Sequence, residues 1–122
     1  MAFSISDANL PLSYKVLMET DCEKSTPIVN ATGTSGTLYS AHVDNSANGS
    51  QINHLMIYDG TDLVIDTTHA DMILRVAAGK QMSFTFPGGW AFTSLSFWCS
   101  SSATFSSQAD PGSAIKVTLV TS

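Results

Sequence analysis

KQMSFTFPGGWAFTSLSFWCS, residues Lys80 to Ser100, decides how this chain folds, because it carries four of the six phenylalanines and both tryptophans. Before Pro87, Met82, Phe84 and Phe86 alternate with Gln81, Ser83 and Thr85. Beyond it, Leu95, Phe97 and Cys99 alternate with Ser94, Ser96 and Ser100. A period of two sends successive side chains to opposite faces of a strand, so each run predicts a strand with one apolar and one polar face. Between them, Pro87-Gly88-Gly89 joins a fixed φ to two residues free to take positive φ, which predicts a turn that reverses or sharply redirects the chain. The flanking strands are expected to form the centre of the core, with Phe84, Phe86, Leu95 and Phe97 almost fully buried.

Working outward, the same alternation recurs. Gly36 to Asp44 (GTLYSAHVD) reads as a strand, and the turn formers Asn45 to Ser50 lead into a second, Gln51 to Tyr58, as a long hairpin. Leu63 to Ile65 is short and β-branched, Asp66 to Asp71 is loop, and Met72 to Val76 is a further strand. One short helix between Asp66 and Ala78 is the local alternative. After the turn signal Asp110-Pro111-Gly112, Ile115, Val117 and Leu119 alternate with Lys116, Thr118 and Val120 in a terminal strand. Toward the start, Lys15 to Met18 and Thr26 to Ala31 are strand candidates, the second at an edge because Pro27 cannot donate to a ladder. The opening Met1 to Tyr14 is an arm: Phe3, Ile5, Leu10 and Leu12 are too apolar for water, while Pro11, Ser6, Asp7 and Asn9 interrupt any period. These four side chains are the candidate assembly contacts.

Seven or eight strands, with turns every eight to twelve residues and no convincing amphipathic helix, predict an all-β antiparallel β-sandwich, Ig-like or jelly-roll. It is expected to be a single domain over residues 1–122, best defined from 36 to 122, and 122 residues suit one core.

Charged residues make up only 12% of the chain, so small polar residues must cover much of the surface. Ten acidic residues against five scattered basic ones, a net charge of −5, argue against grasping a phosphate backbone. No nucleic-acid partner is expected. No apolar run reaches the roughly 20 residues that span a bilayer, and the first residues lack a basic start followed by an apolar stretch. The expectation is a protein made in the cytoplasm, without a membrane partner.

Several residue sets could carry chemistry. Asp59-Gly60-Thr61-Asp62, with Asp66, His69 and Asp71 behind, is dense in oxygen ligands that suit calcium, but the spacing is not that of an EF-hand loop. His42, His54 and His69 with Asp44 could hold zinc, but the tight His pair of zinc enzymes is missing. No Gly-x-Ser-x-Gly elbow marks a nucleophile, and Gly33-Thr34-Ser35-Gly36 lacks the lysine and helix of a phosphate loop. The reading is no enzyme and no cofactor. Trp90, Trp98, Tyr39 and Tyr58 could stack on sugars or fill a core. Cys22 and Cys99 could close a loop worth about 4 kcal/mol, against the simpler reading of a buried Cys99 and a free Cys22.

From Thr37 to Leu119 the chain resembles small virion proteins of tailed bacteriophages, of the kind that decorate or cement the head. The elements that carry the resemblance are TLYSAHVDNSA, the strand ending IYDGT, the edge DMILRVAAGK, the turn FTFPGGWAF and the strand SLSFWCS, in that order. The resemblance implies a homo-oligomer, dimer or trimer, that binds the major capsid protein on the outer capsid surface and bridges capsomers. The alternative within the virion is a tail or fibre component, such as a glycan-binding receptor knob.

Overall fold

The computed structural model describes residues 2–7 and 14–122. Within them the chain is all-β: β1 (Phe3–Asp7), β2 (Lys15–Glu19), β3 (Gly36–Asp44), β4 (Asn53–Asp59), β5 (Met72–Val76), β6 (Gln81–Phe92), β7 (Leu95–Ser100) and β8 (Lys116–Thr121). These form a five-stranded antiparallel sheet ordered β1-β2-β8-β3-β6 and a three-stranded one ordered β5-β4-β7. Ile28 adds an antiparallel bridge to Phe97 on the free side of β7, and Ala31 N–H donates to the Leu95 carbonyl at 2.7 Å.

The pairing is nested. β2 pairs with β8, the Ile28 segment with β7, β3 with β6, and β4 with β5, as if one long hairpin had been wrapped around a barrel. With β3 also against β8 and β4 against β7, the sheets read β2-β8-β3-β6 and Ile28-β7-β4-β5. That is the jelly-roll of the two sandwich topologies, with β1 added beside β2.

The facing surfaces of the sheets bury Leu17, Leu38, Val43, Leu55, Ile57, Val76, Leu95, Phe97, Cys99, Val117 and Leu119 in one cluster. Leu95 and Phe97 are buried as expected, whereas Phe84 and Phe86 are only half-buried. The reason is position: β6 closes one edge of its sheet, so its inward rings are covered from one side only. The polar face expected on β7 is absent, since all six of its residues are buried. Loops lie across its outer surface. Trp98 Nε1–H donates to Gln108 Oε1 at 2.9 Å, Ser96 Oγ–H donates to the Gly60 carbonyl at 2.7 Å, and Ala109 N–H donates to Ser100 Oγ at 3.3 Å. The two covering loops are tied together where Gln108 N–H donates to Asp66 Oδ1 at 2.7 Å.

Pro87-Gly88-Gly89 does not reverse the chain. β6 pairs with β3 on both sides of it, Thr85 opposite Ser40 and Trp90 opposite Leu38, so Phe86 to Gly89 bulge against Tyr39 alone. Gly88 and Gly89 take φ of 78° and 80°, the left-handed geometry that lets so large a bulge return to register. The chain turns later, at Thr93 and Ser94, where Asp59 Oδ1 accepts both backbone N–H groups at 2.9 and 2.8 Å and β7 starts in the other sheet.

The β3–β4 hairpin is likewise not formed, because Asn45 to Ser50 carries the chain from one sheet to the other. Buried asparagines hold that crossing: Asn48 and Asn53 donate to Asn45 Oδ1 at 3.0 and 2.8 Å, and Asn45 donates to the Gln51 and Ala77 carbonyls. Leu63 to Ile65 is not a strand; its extended reading yields to a turn in which Thr67 and Thr68 N–H donate to the Val64 carbonyl. The expected arm is a strand in part, since Phe3 to Asp7 pair residue by residue with Glu19 to Lys15. Pro11 and Asn9 fall outside that strand and outside the described residues.

Candidate assembly surface

β1 occupies an open edge. It pairs with β2 on one side, and among the described residues no strand pairs with the other. Edge strands present a row of free N–H and C=O groups, a template for a further strand from another chain. Phe3 lies over the sandwich end, half-buried, its ring 6.3 Å from that of Phe97. Ile5 sits opposite the buried Leu17 on the edge strand, yet is 44% exposed. Leu10 and Leu12 lie outside the described residues. Of the four expected contacts, the structure therefore places Phe3 half-buried against the protein's own core and Ile5 at its margin.

Sequence reading missed the outer face of the neighbouring strands. Met18 is 46% exposed, and Val16 pairs with Val120 of β8 on the same face. The Tyr14 and Tyr39 rings meet at a tilt of 53°, with centroids 5.1 Å apart. The signal was present in Val16-Leu17-Met18, which is apolar on both faces of β2, but a run of three does not reveal which face meets the core.

The start of β1 is fixed by Glu19. Its Oε2 accepts the Ala2 N–H at 3.0 Å, while its buried Oε1 has no hydrogen-bond partner. Burial pushes this carboxyl above its ordinary pKa, against the lowering effect of the Ala2 hydrogen bond.

The remaining polar sets serve the loops. Asp59 caps Thr93 and Ser94, Asp62 accepts the Tyr58 hydroxyl at 2.7 Å, Asp66 accepts Gln108 N–H, and Asp71 accepts Asp59 N–H at 2.7 Å. No group of three His, Cys, Asp or Glu side chains among the described residues is placed to hold a metal. The histidines are apart: His42 bonds Ser83 and Gln81 on the large sheet, His54 bonds the Ser100 carbonyl on the small one, and His69 stacks on Phe105 at 3.6 Å. Asp44 is held below the usual carboxylate range by hydrogen bonds from Ser46. Of the four aromatics considered for sugars, Trp98 is 1% exposed and Trp90 packs against the core. A surface cleft between Asp44, Ser46, Ala47, Ala114 and Lys116, of about 90 Å³, has room for a few waters.

Comparison with known protein families, curated proteins and solved structures returns no match to this chain.

Proposed function

We propose that this protein is a structural, non-enzymatic component of a tailed-phage virion, which binds the major capsid protein on the outer capsid surface as a homo-oligomer and cements neighbouring capsomers. The observation that carries the reading is the edge at β1, where exposed Ile5 and Met18 border backbone that no strand pairs with among the described residues. Such an edge suits strand addition by a second chain, and repeated attachment on a particle multiplies modest single contacts. The order of motifs that resembles head-decoration proteins runs through β3 to β7. Jelly-rolls build capsid subunits and lectins alike, so the fold is compatible with the proposal without selecting it.

The test is uptake. Purified protein mixed with heads that lack it should bind in fixed stoichiometry and raise their resistance to heat; absence of uptake sinks the proposal. A receptor-binding knob is the second reading, favoured by the exposed His69–Phe105 stack on the loops over β7. It requires binding to host cells or glycans that Phe105→Ala abolishes.

A further inference from the structure

Asn48 is the one asparagine of this chain that precedes a glycine. A glycine leaves its own backbone nitrogen unhindered and its φ and ψ free, so that nitrogen can swing onto the carbonyl carbon of the preceding side chain. Gly49 is exposed, a Cβ on it would meet nothing within 4 Å, and no hydrogen bond holds its N–H among the described residues. The nucleophile is free.

The electrophile is not. Asn48 is 6% exposed, and its side chain is held from two directions: Nδ2–H donates to Asn45 Oδ1 at 3.0 Å and to the Ser113 carbonyl at 3.1 Å, while Oδ1 accepts Ser113 N–H at 2.8 Å. Neither partner can turn round. Asn45 donates its own amide to the Gln51 and Ala77 carbonyls, so its oxygen must face Asn48, and Ser113 contributes only backbone groups. Gln51 Oε1 accepts Gly112 N–H at 2.8 Å and keeps residues 112–113 against the crossing from β3 to β4.

We propose that Asn48 is a deamidation site kept closed by this latch, and that its conversion is one-way. When residues 112–113 part from the crossing, Gly49 N attacks Asn48 Cγ. A C–N bond forms, the Gly49 N–H proton passes to the departing amide, and ammonia leaves a cyclic succinimide. Water then opens the ring at either carbonyl, to aspartate or isoaspartate, so water enters, ammonia departs and no electrons are transferred. The product cannot remake the latch. A carboxylate has no donor for Asn45 Oδ1 or the Ser113 carbonyl, and it carries a charge into a buried position. Isoaspartate also reroutes the backbone through the side chain, and it turns the Asn48 carbonyl, which accepts Gly79 and Gln51 N–H at 2.9 and 3.3 Å, into a free carboxylate.

The test follows the full chain in mildly alkaline buffer, folded and in unfolding guanidinium, by the mass gain of an amide becoming an acid and by peptide mapping that separates aspartate from isoaspartate. A reaction that needs the opened form follows its population, so unfolding should speed conversion at Asn48 by about tenfold or more. Gln51→Ala, which frees Gly112 and leaves every Asn48 side-chain bond in place, should convert faster than wild type while folded; if that variant does not fold, the wild-type comparison decides alone. Asn48→Asp should unfold at lower denaturant than wild type. Equal rates in the folded and unfolded chain, a folded Gln51→Ala that converts no faster than wild type, conversion confined to another asparagine, or an Asn48→Asp variant as stable as wild type overturns the proposal.

Discussion

At the scale of single residues, Glu19 places a carboxylate where water hardly reaches, with one oxygen unpaired. Its folded pKa is raised, so the native state binds this proton more tightly than the unfolded chain does. The stabilisation from that proton is fully present below the unfolded value of about 4.3 and is lost as pH rises through the raised folded value. Glu19→Gln keeps an acceptor for Ala2 N–H and removes the charge. In urea titrations from pH 4 to pH 8, the stability of this variant relative to wild type should therefore climb with pH; a difference that stays flat means the carboxylate is not desolvated. Gly88 and Gly89 make a second, sharper pair. Both hold positive φ, but a Cβ on Gly88 meets nothing within 4 Å, whereas one on Gly89 drives into Thr37 and the Tyr39 ring. Gly88→Ala should cost about 1–2 kcal/mol, the left-handed penalty alone, and Gly89→Ala distinctly more. Equal losses in denaturant melts would show that the bulge yields to the added methyl. That this Pro-Gly-Gly run departs from regular backbone was legible in the sequence; that it bulges instead of reversing was not, because local φ preference is the same for both.

Elements show where sequence reading stops. Alternation located β3, β4, β5, β6, β7 and β8 and gave the inward identity of Leu95, Phe97 and Cys99, because period two is a property of a strand by itself. Partners are not a property of a strand by itself. Asn45 to Ser50 has every residue of a hairpin turn, yet it joins strands of different sheets, since β3 already has β6 and β8 for neighbours. The fate of β7 was hidden for a related reason: Ser96 and Ser100 read as a polar face until loops distant in sequence cover them. Gln108 is central to that cover, accepting from Trp98 and donating to the Thr104 carbonyl at 2.6 Å. Gln108→Ala leaves a buried indole N–H without its acceptor, an expected loss of about 1–3 kcal/mol. Trp98 should also become accessible to a polar quencher, with tryptophan emission shifted to the red. A variant whose emission and quenching match wild type would show that the backbone contacts to Asp66 and Ser100 hold the cover without the Gln108 side chain.

On the scale of the whole molecule, nested pairing makes the jelly-roll depend on contacts between distant parts of the chain, the last strand lying between β2 and β3. β1 alone stands outside that scheme, attached to one neighbour at the edge of the larger sheet. Its removal therefore leaves the closed pairing intact: β2-β8-β3-β6 and Ile28-β7-β4-β5 both survive. What disappears is the Phe3–Phe97 contact, the Ala2–Glu19 hydrogen bond and the exposed Ile5 margin. The arm expected from the sequence thus contains a strand that belongs to the sandwich, with Ile5 exposed at its margin. Deleting residues 1–7 should leave a β-sheet circular-dichroism spectrum and a cooperative melt at lower temperature, since a partly buried Phe and five ladder residues are gone. On the proposed function, the same deletion should reduce uptake onto heads far more than it reduces the folded fraction, because the open edge would then be β2, with Met18 and Glu19 displayed in place of Ile5. Wild-type uptake by the truncated, folded protein would place the docking surface elsewhere, and a chain that fails to fold would make β1 an integral part of the core.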